Sequence, residues 1–261
     1  MSSAGISARA KTPWRRALPA GDAAVLLEFG DRIAADINEE VQRFARMLFK
    51  SEIPGIRDIV PTYASLLVAY DPCAWEHETL LEMLASLPLT KGEGPQRRCH
   101  VIPVLYGGDA GPDLEEAAQA LGLSPAELAG RHAGRDYRIY CLGFAPGFPL
   151  CGVLPEELRL PRRAAPRTKV PPGSVAIAGM QTGIYPLESA GGWHLIGRTP
   201  LRLFRWDQPD PVPFQPGDTL RFRVVTKEEY RMLEARVASG DTILETSASR
   251  EEAAHGGDPR R

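Results

Sequence analysis

The residues best suited to chemistry crowd between Arg159 and Pro200. Arg159, Arg162, Arg163, Arg167 and Lys169 place five cations in eleven residues, with no carboxylate among them. Interleaved prolines hold such a strip extended, so its cations point in fixed directions. Guanidinium forks in that setting suit carboxylate or phosphate oxygens; a solvated basic loop is the plainer alternative. Arg167, between Pro166 and the rigid Val170-Pro171-Pro172 turn, is the leading anion contact. Downstream, Gly179 to Pro186 sets Gln181, Thr182 and Tyr185 among glycines that let backbone approach a ligand, unless the segment is simply a tight β-turn. Gly191 to Pro200 offers Trp193 as a core aromatic and Arg198 as a ligand contact. His132, near a helix end, fits a general base near neutral pH or a cationic C-cap.

Familiar self-sufficient catalytic signatures are missing. There is no GxxxxGK[ST] phosphate loop, no GxGxxG after a strand and no HExxH, and Gly143 to Phe148 contains no nucleophile. Cys73, Cys99, Cys141 and Cys151 have neither CxxC spacing nor nearby histidines, so free, buried thiols are expected rather than zinc ligands or disulfides.

The elements that must carry these residues fall into zones. In residues 16–90, Ala23 to Phe29 reads as a strand. Asn38 then caps a helix with Val41, Phe44, Ala45, Leu48 and Phe49 on one face. Ile56 to Val60 and Ser65 to Tyr70 are β-prone, and Trp75 to Leu87 is a second amphipathic helix. This pattern predicts two helices on one face of a small mixed sheet. Residues 91–98 form a linker. Val101 to Tyr106 and Tyr137 to Cys141 read as strands, with helices over Pro112 to Leu121 and Pro125 to His132 between them; Ser124 and Glu127 make a capping box. From Gly143 to Gly217 prolines and glycines punctuate short strands (Ser174 to Ala178, His194 to Ile196, Leu201 to Phe204, Thr219 to Val225), which suits a closed β-barrel. The barrel domain spans 99–226; residues 227–261 add a helix from Lys227 to Val237 and a tail frayed after about Thr246.

The chain has 261 residues, 43% of them hydrophobic, which is globular in composition. A net charge of −2 argues against nucleic acid or an anionic membrane as partner. The run from Ala23 to Leu27 is far short of the roughly 20 apolar residues of a spanning helix. The N-terminus lacks the apolar core of a secretion signal, so the cytoplasm is the expected location.

Four motifs in order, Leu142 to Phe148, Pro161 to Arg167, Val175 to Pro186 and Gly191 to Pro200, resemble the family of the 5-oxoprolinase B component, also called the KipI or allophanate-hydrolase-subunit-1 family. The resemblance implies an α+β chain: a small N-terminal α/β domain followed by a cyclophilin-like β-barrel. It implies one component of an assembly with a C-like (carboxyltransferase A/B-type) protein and an A-like lactam-utilisation protein. That assembly opens the lactam of 5-oxoproline to glutamate using ATP, with no metal assigned. In such a site Arg167 and Arg198 would clamp oxyanions, Gln181 and Thr182 would orient the amide, and His132 would move a proton. Phe144, Pro146, Gly147, Arg162, Arg163, Tyr185 and Trp193 would line the substrate or nucleotide site, unless Arg162 and Arg163 face a partner protein instead. Two other readings are a carboxyltransferase component that acts on urea-like amides and an inhibitor of a histidine kinase. Met180, where the family usually shows glycine, adds bulk beside the expected site; Cys151 and Val153 also depart from the pattern.

Overall fold

The computed structural model describes residues 12–88, 97–241 and 243–248. The chain divides into two compact units, Met1–Gly94 and Pro95–Arg261. Most of the expected linker, 91–96, lies outside the described residues, as does the tail from 249 onward.

In the first unit β1 (Arg16–Pro19), β2 (Ala24–Glu28), β3 (Ile56–Pro61) and β4 (Ser65–Tyr70) form a sheet in the order β1-β2-β4-β3. Every pairing is antiparallel, so the sheet is not mixed, and β1 adds an edge strand that local patterning does not announce. Alternate residues of β2 and β4 are buried, so one face carries the core. Two helices, α1 (Ala35–Ser51) and α2 (His77–Ser86), cover that face: Val41, Phe44, Leu48, Leu80 and Leu84 pack with Val25, Leu27, Leu66 and Val68. Asn38 is not the cap of α1, which starts one turn earlier after Ala34. Its buried side chain instead donates from Nδ2 to the Thr62 and Tyr63 carbonyls, at 3.0 and 3.3 Å, and so ties the helix to the β3–β4 turn.

The second unit opens with β5 (Arg98–Tyr106), α3 (Leu114–Ala120), α4 (Pro125–Ala133), β6 (Asp136–Leu142) and β7 (Pro149–Gly152). It continues through β8 (Arg167–Val170), β9 (Ser174–Ala178), β10 (Gln181–Ile184), β11 (Ser189–Gly191), β12 (His194–Arg198), β13 (Thr219–Val224), α5 (Lys227–Ala238) and β14 (Glu245–Ala248). Seven strands run β12-β9-β10-β7-β6-β13-β5, and the pairing of Gly197 with Tyr106 closes them into a barrel. Only β5 and β13 pair in parallel within it. The interior is filled by Ile102, Tyr137, Ile139, Ile177, Ile196 and Phe222 among others, so it is a core and not a cavity. The expected capping box of α4 is present, Ser124 Oγ accepting from the Glu127 N–H.

Three expectations give way here. Leu201 to Phe204 form no strand, although Leu201 and Leu203 are buried: side-chain burial rather than ladder pairing explains their apolar character. The stretch after Thr246 is not wholly frayed, because β14 adds to β5 through Ala248. There Thr246 Oγ1 meets His100 Nδ1 at 3.2 Å, while His100 Nε2 meets the buried Asp218 at 2.8 Å. Cys73 is exposed; the other three cysteines are buried and all four are free. Among the described residues no helix is long and apolar enough to cross a membrane.

Candidate functional site

Strand β9 decides where a ligand could sit. Its Val175 and Ile177 face the barrel interior, while Ala176 and Ala178 face outward. Those small outward side chains let Phe148, Tyr185 and Trp193 lie against the sheet as a second buried cluster. The rings meet edge to face, Phe148 with Tyr185 at 5.0 Å and with Trp193 at 5.6 Å. Glycine makes this possible at Gly191, whose missing side chain leaves the room that the Tyr185 phenol occupies. Burial pushes that phenol's pKa up.

Above this floor lies a hollow of about 180 Å³, bordered by Phe144, Phe148, Arg162, Tyr185, Trp193 and the Gly191–Gly192 backbone. Among the described residues no carboxylate borders it. Phe144 stands exposed at its mouth with φ +67, a left-handed backbone that phenylalanine rarely adopts. Pro146 and Gly147 do not border the hollow; their turn brings Phe144 and Phe148 together at 5.4 Å.

The cationic strip forms one wall and is tied down along its length. Pro161 O accepts from His194 Nε2 at 2.9 Å, and the Arg163 N–H donates to Gly192 O at 2.8 Å. Its principal anchor, unforeseen in sequence, is Asp113. Asp113 precedes α3, where an aspartate would ordinarily cap, yet its carboxylate makes no cap. Instead it accepts from Arg167 at 2.6 and 2.8 Å, from Arg163 Nη1 at 2.9 Å and from the Leu195 N–H at 2.7 Å. Arg163 also bonds Glu116 at 3.0 Å, which raises its pKa. An extended run of uncompensated cations was the available signal that a carboxylate must arrive from elsewhere.

Residues 15–214 match the family described as carboxyltransferase domain, subdomain C and D. The chain belongs to this family. It is 38% identical over 224 residues to the 5-oxoprolinase B component of Bacillus subtilis (strain 168), covering 80% of this chain and 92% of that protein. The 5-oxoprolinase B component of Escherichia coli O157:H7 is 38% identical over 203 residues, 77% of this chain and 92% of that one. Among solved structures TTHA0988 is 38% identical with a TM-score of 0.71; the match covers 78% of this chain but 40% of that longer one. Urea amidolyase of K. lactis, at 19% identity and a TM-score of 0.73 over 93% of this chain and 18% of its own length, shares the fold.

Against this geometry the expected site residues separate. Phe144, Arg162, Arg163, Tyr185 and Trp193 come together at the hollow, and Arg167 stands beside it on Asp113. Thr182 does not join them: it has the parity of Ile184 and faces the interior, where its hydroxyl donates to Ala176 O at 3.0 Å. His132 is fully buried in the same interior, stacked on Phe222 at 4.5 Å, so it is no helix-capping cation. Tyr106 O–H donates to its Nδ1 at 2.7 Å, and its Nε2–H donates to Thr182 Oγ1 at 2.9 Å. Burial lowers its pKa to about 3, which leaves the ring neutral. Gln181 has the outward parity of Gly183 and does not border the hollow. Arg198 lies at the far end of β12 from Trp193, paired with Leu105 and Ser174. Met180 does not crowd the hollow either: with Gly179 (φ +56) it forms the two-residue hairpin turn between β9 and β10. Among the described residues no cluster of three His, Cys, Asp or Glu side chains could hold a metal.

Proposed function

We propose that this chain is the B component of a multi-protein, ATP-dependent 5-oxoprolinase, and that the aromatic hollow receives the lactam. One observation carries the reading. The four family motifs, separate segments within residues 142–200, each supply part of this single hollow: Phe144 and Phe148, Arg162 and Arg163, Tyr185, and Gly191 to Trp193. Its floor suits a small planar ring, its carboxylate-free border suits an anion, and the kinship with 5-oxoprolinase components supplies the substrate class.

The small size of the hollow favours a nucleotide site elsewhere in the assembly. The hollow is smaller than the roughly 300–1,000 Å³ typical of drug-sized ligand sites, and no glycine-rich phosphate loop occurs in the sequence. ATP is therefore assigned to the assembled complex, with the C-like and A-like proteins as partners, and the chain alone is inactive. What its own residues contribute is placement: the rings hold the lactam flat, and the strip keeps cationic groups at its edge. The test is co-expression with those partners and measurement of ATP-dependent glutamate release from 5-oxoproline. Release only with all components present supports the proposal; release that is undiminished without this chain ends it.

A further inference from the structure

The strip does not present its cations equally. Arg167 has both terminal nitrogens on Asp113, and Arg163 shares Nη1 between Asp113 and Glu116. Lys169 reaches Glu188 at 3.2 Å, and Arg159 Nε donates to Leu154 O at 2.9 Å. Arg162 alone of the five makes no hydrogen bond or ion pair to a described residue, and it borders the hollow. Its main chain is nonetheless fixed, because the bonds at Pro161 O and the Arg163 N–H hold it on either side.

Two charges of the wall are thus occupied by Asp113, and one is left facing the ligand space. A guanidinium is always charged and presents a planar fork that matches one carboxylate with two bonds. Beside a floor of three rings, this combination selects a small flat molecule that carries a carboxylate at its edge.

We propose that Arg162, and not Arg167, is the residue that gives the hollow its preference for a carboxylate-bearing ligand. Arg167 holds the wall with both terminal nitrogens on Asp113, and Arg163 holds it with Nη1 shared by two carboxylates while its buried Nε has no partner among the described residues. The inference rests on the reading that the hollow is the lactam site, and it names the group that recognises the substrate's charge.

The experiment is calorimetric titration of the full chain with 5-oxoproline and with 2-pyrrolidinone, the same ring without the carboxylate. Wild type should prefer 5-oxoproline by about ten-fold or more, the scale of a charge-assisted hydrogen bond. R162Q should erase the preference while 2-pyrrolidinone binding stays within about two-fold, and R162K should keep part of it. R167Q, checked for folding by circular dichroism, should retain the preference despite lower stability. A preference that survives in R162Q, or that disappears as completely in folded R167Q, overturns the inference. So does an R162Q chain with unchanged ligand binding but weakened association with its partner proteins. If neither lactam binds, the reading of the hollow as the lactam site fails by itself. Benzoate against benzamide then decides on Arg162, and equal binding of that pair by wild type overturns this inference as well.

Discussion

Asp113 and Arg167, 54 residues apart, meet through two parallel hydrogen bonds, Nη1 to Oδ2 at 2.8 Å and Nη2 to Oδ1 at 2.6 Å. The carboxylate is almost fully buried, and the guanidinium side chain is 27% exposed. Removing the acid strands two arginines and the Leu195 N–H at once. Asp113→Ala should therefore destabilise the chain by about 3 kcal/mol, at the low end for a broken buried pair because water screens the arginines. Arg167→Ala should lose less, and Arg163→Ala least, since Glu116 on its other side is exposed. Urea unfolding of the three variants checks the order; equal losses for Asp113→Ala and Arg163→Ala contradict it.

His132 makes a second, pH-dependent prediction. Thr182 gives its own proton to Ala176 O, so it must accept from His132 Nε2, and Nδ1 is left to accept from Tyr106. The wiring is complete only for neutral imidazole. An unfolded histidine takes up a proton below about pH 6.5, whereas the folded one resists until about 3. Stability from this group is thus complete above about pH 6.5 and falls as pH drops toward about 3, by about 1.4 kcal/mol per pH unit. By pH 4.5 wild type should have lost about 2–3 kcal/mol more, relative to neutral pH, than His132→Gln does. Urea melts at the two pH values measure it; parallel losses in both proteins refute the assignment.

Glycines divide by what a side chain would meet. At Gly183 an added Cβ would lie 2.7 Å from a Phe148 ring carbon and 2.8 Å from Pro149 O. Gly183→Ala should cost about 1–3 kcal/mol and disturb the floor of the hollow, seen as a change in tryptophan fluorescence beside Trp193. Gly130, inside α4, has open space around it. Gly130→Ala should raise stability by about 0.5–1 kcal/mol in thermal unfolding. A loss there, or none at Gly183, would falsify the packing described.

Thiol chemistry should distinguish one cysteine from the rest. Burial raises the Cys141 pKa to about 12 and that of Cys151 well above its ordinary value, and Cys99 is also buried. Dithionitrobenzoate should modify Cys73 alone in the native chain and all four thiols in denaturant. Rapid reaction of Cys73→Ser under native conditions contradicts that burial.

Much of the framework was legible along the chain. Strand Ser174–Ala178 has the predicted bounds, and α4 starts at the predicted Pro125 behind Ser124. Such features depend on neighbours a few residues away: an apolar period, a cap, a turn glycine. Errors arose where distant packing overrode a local cue, as when Asn38 served the β3–β4 turn instead of a helix end, and when Leu203 was buried without joining a ladder.

The candidate site divides along the same line. From residue order alone came the cationic strip, the aromatic motifs and the kinship with a protein family, because composition and motif order survive without coordinates. Which charges remain available, and which face each polar residue takes, only the packed barrel decided. Thr182 and Tyr185 sit three positions apart in one motif, yet strand alternation sends the first inward to His132 and the second outward to the hollow. Asp113 reaches Arg167 across 54 residues, and no local period encodes a contact closed by the whole fold.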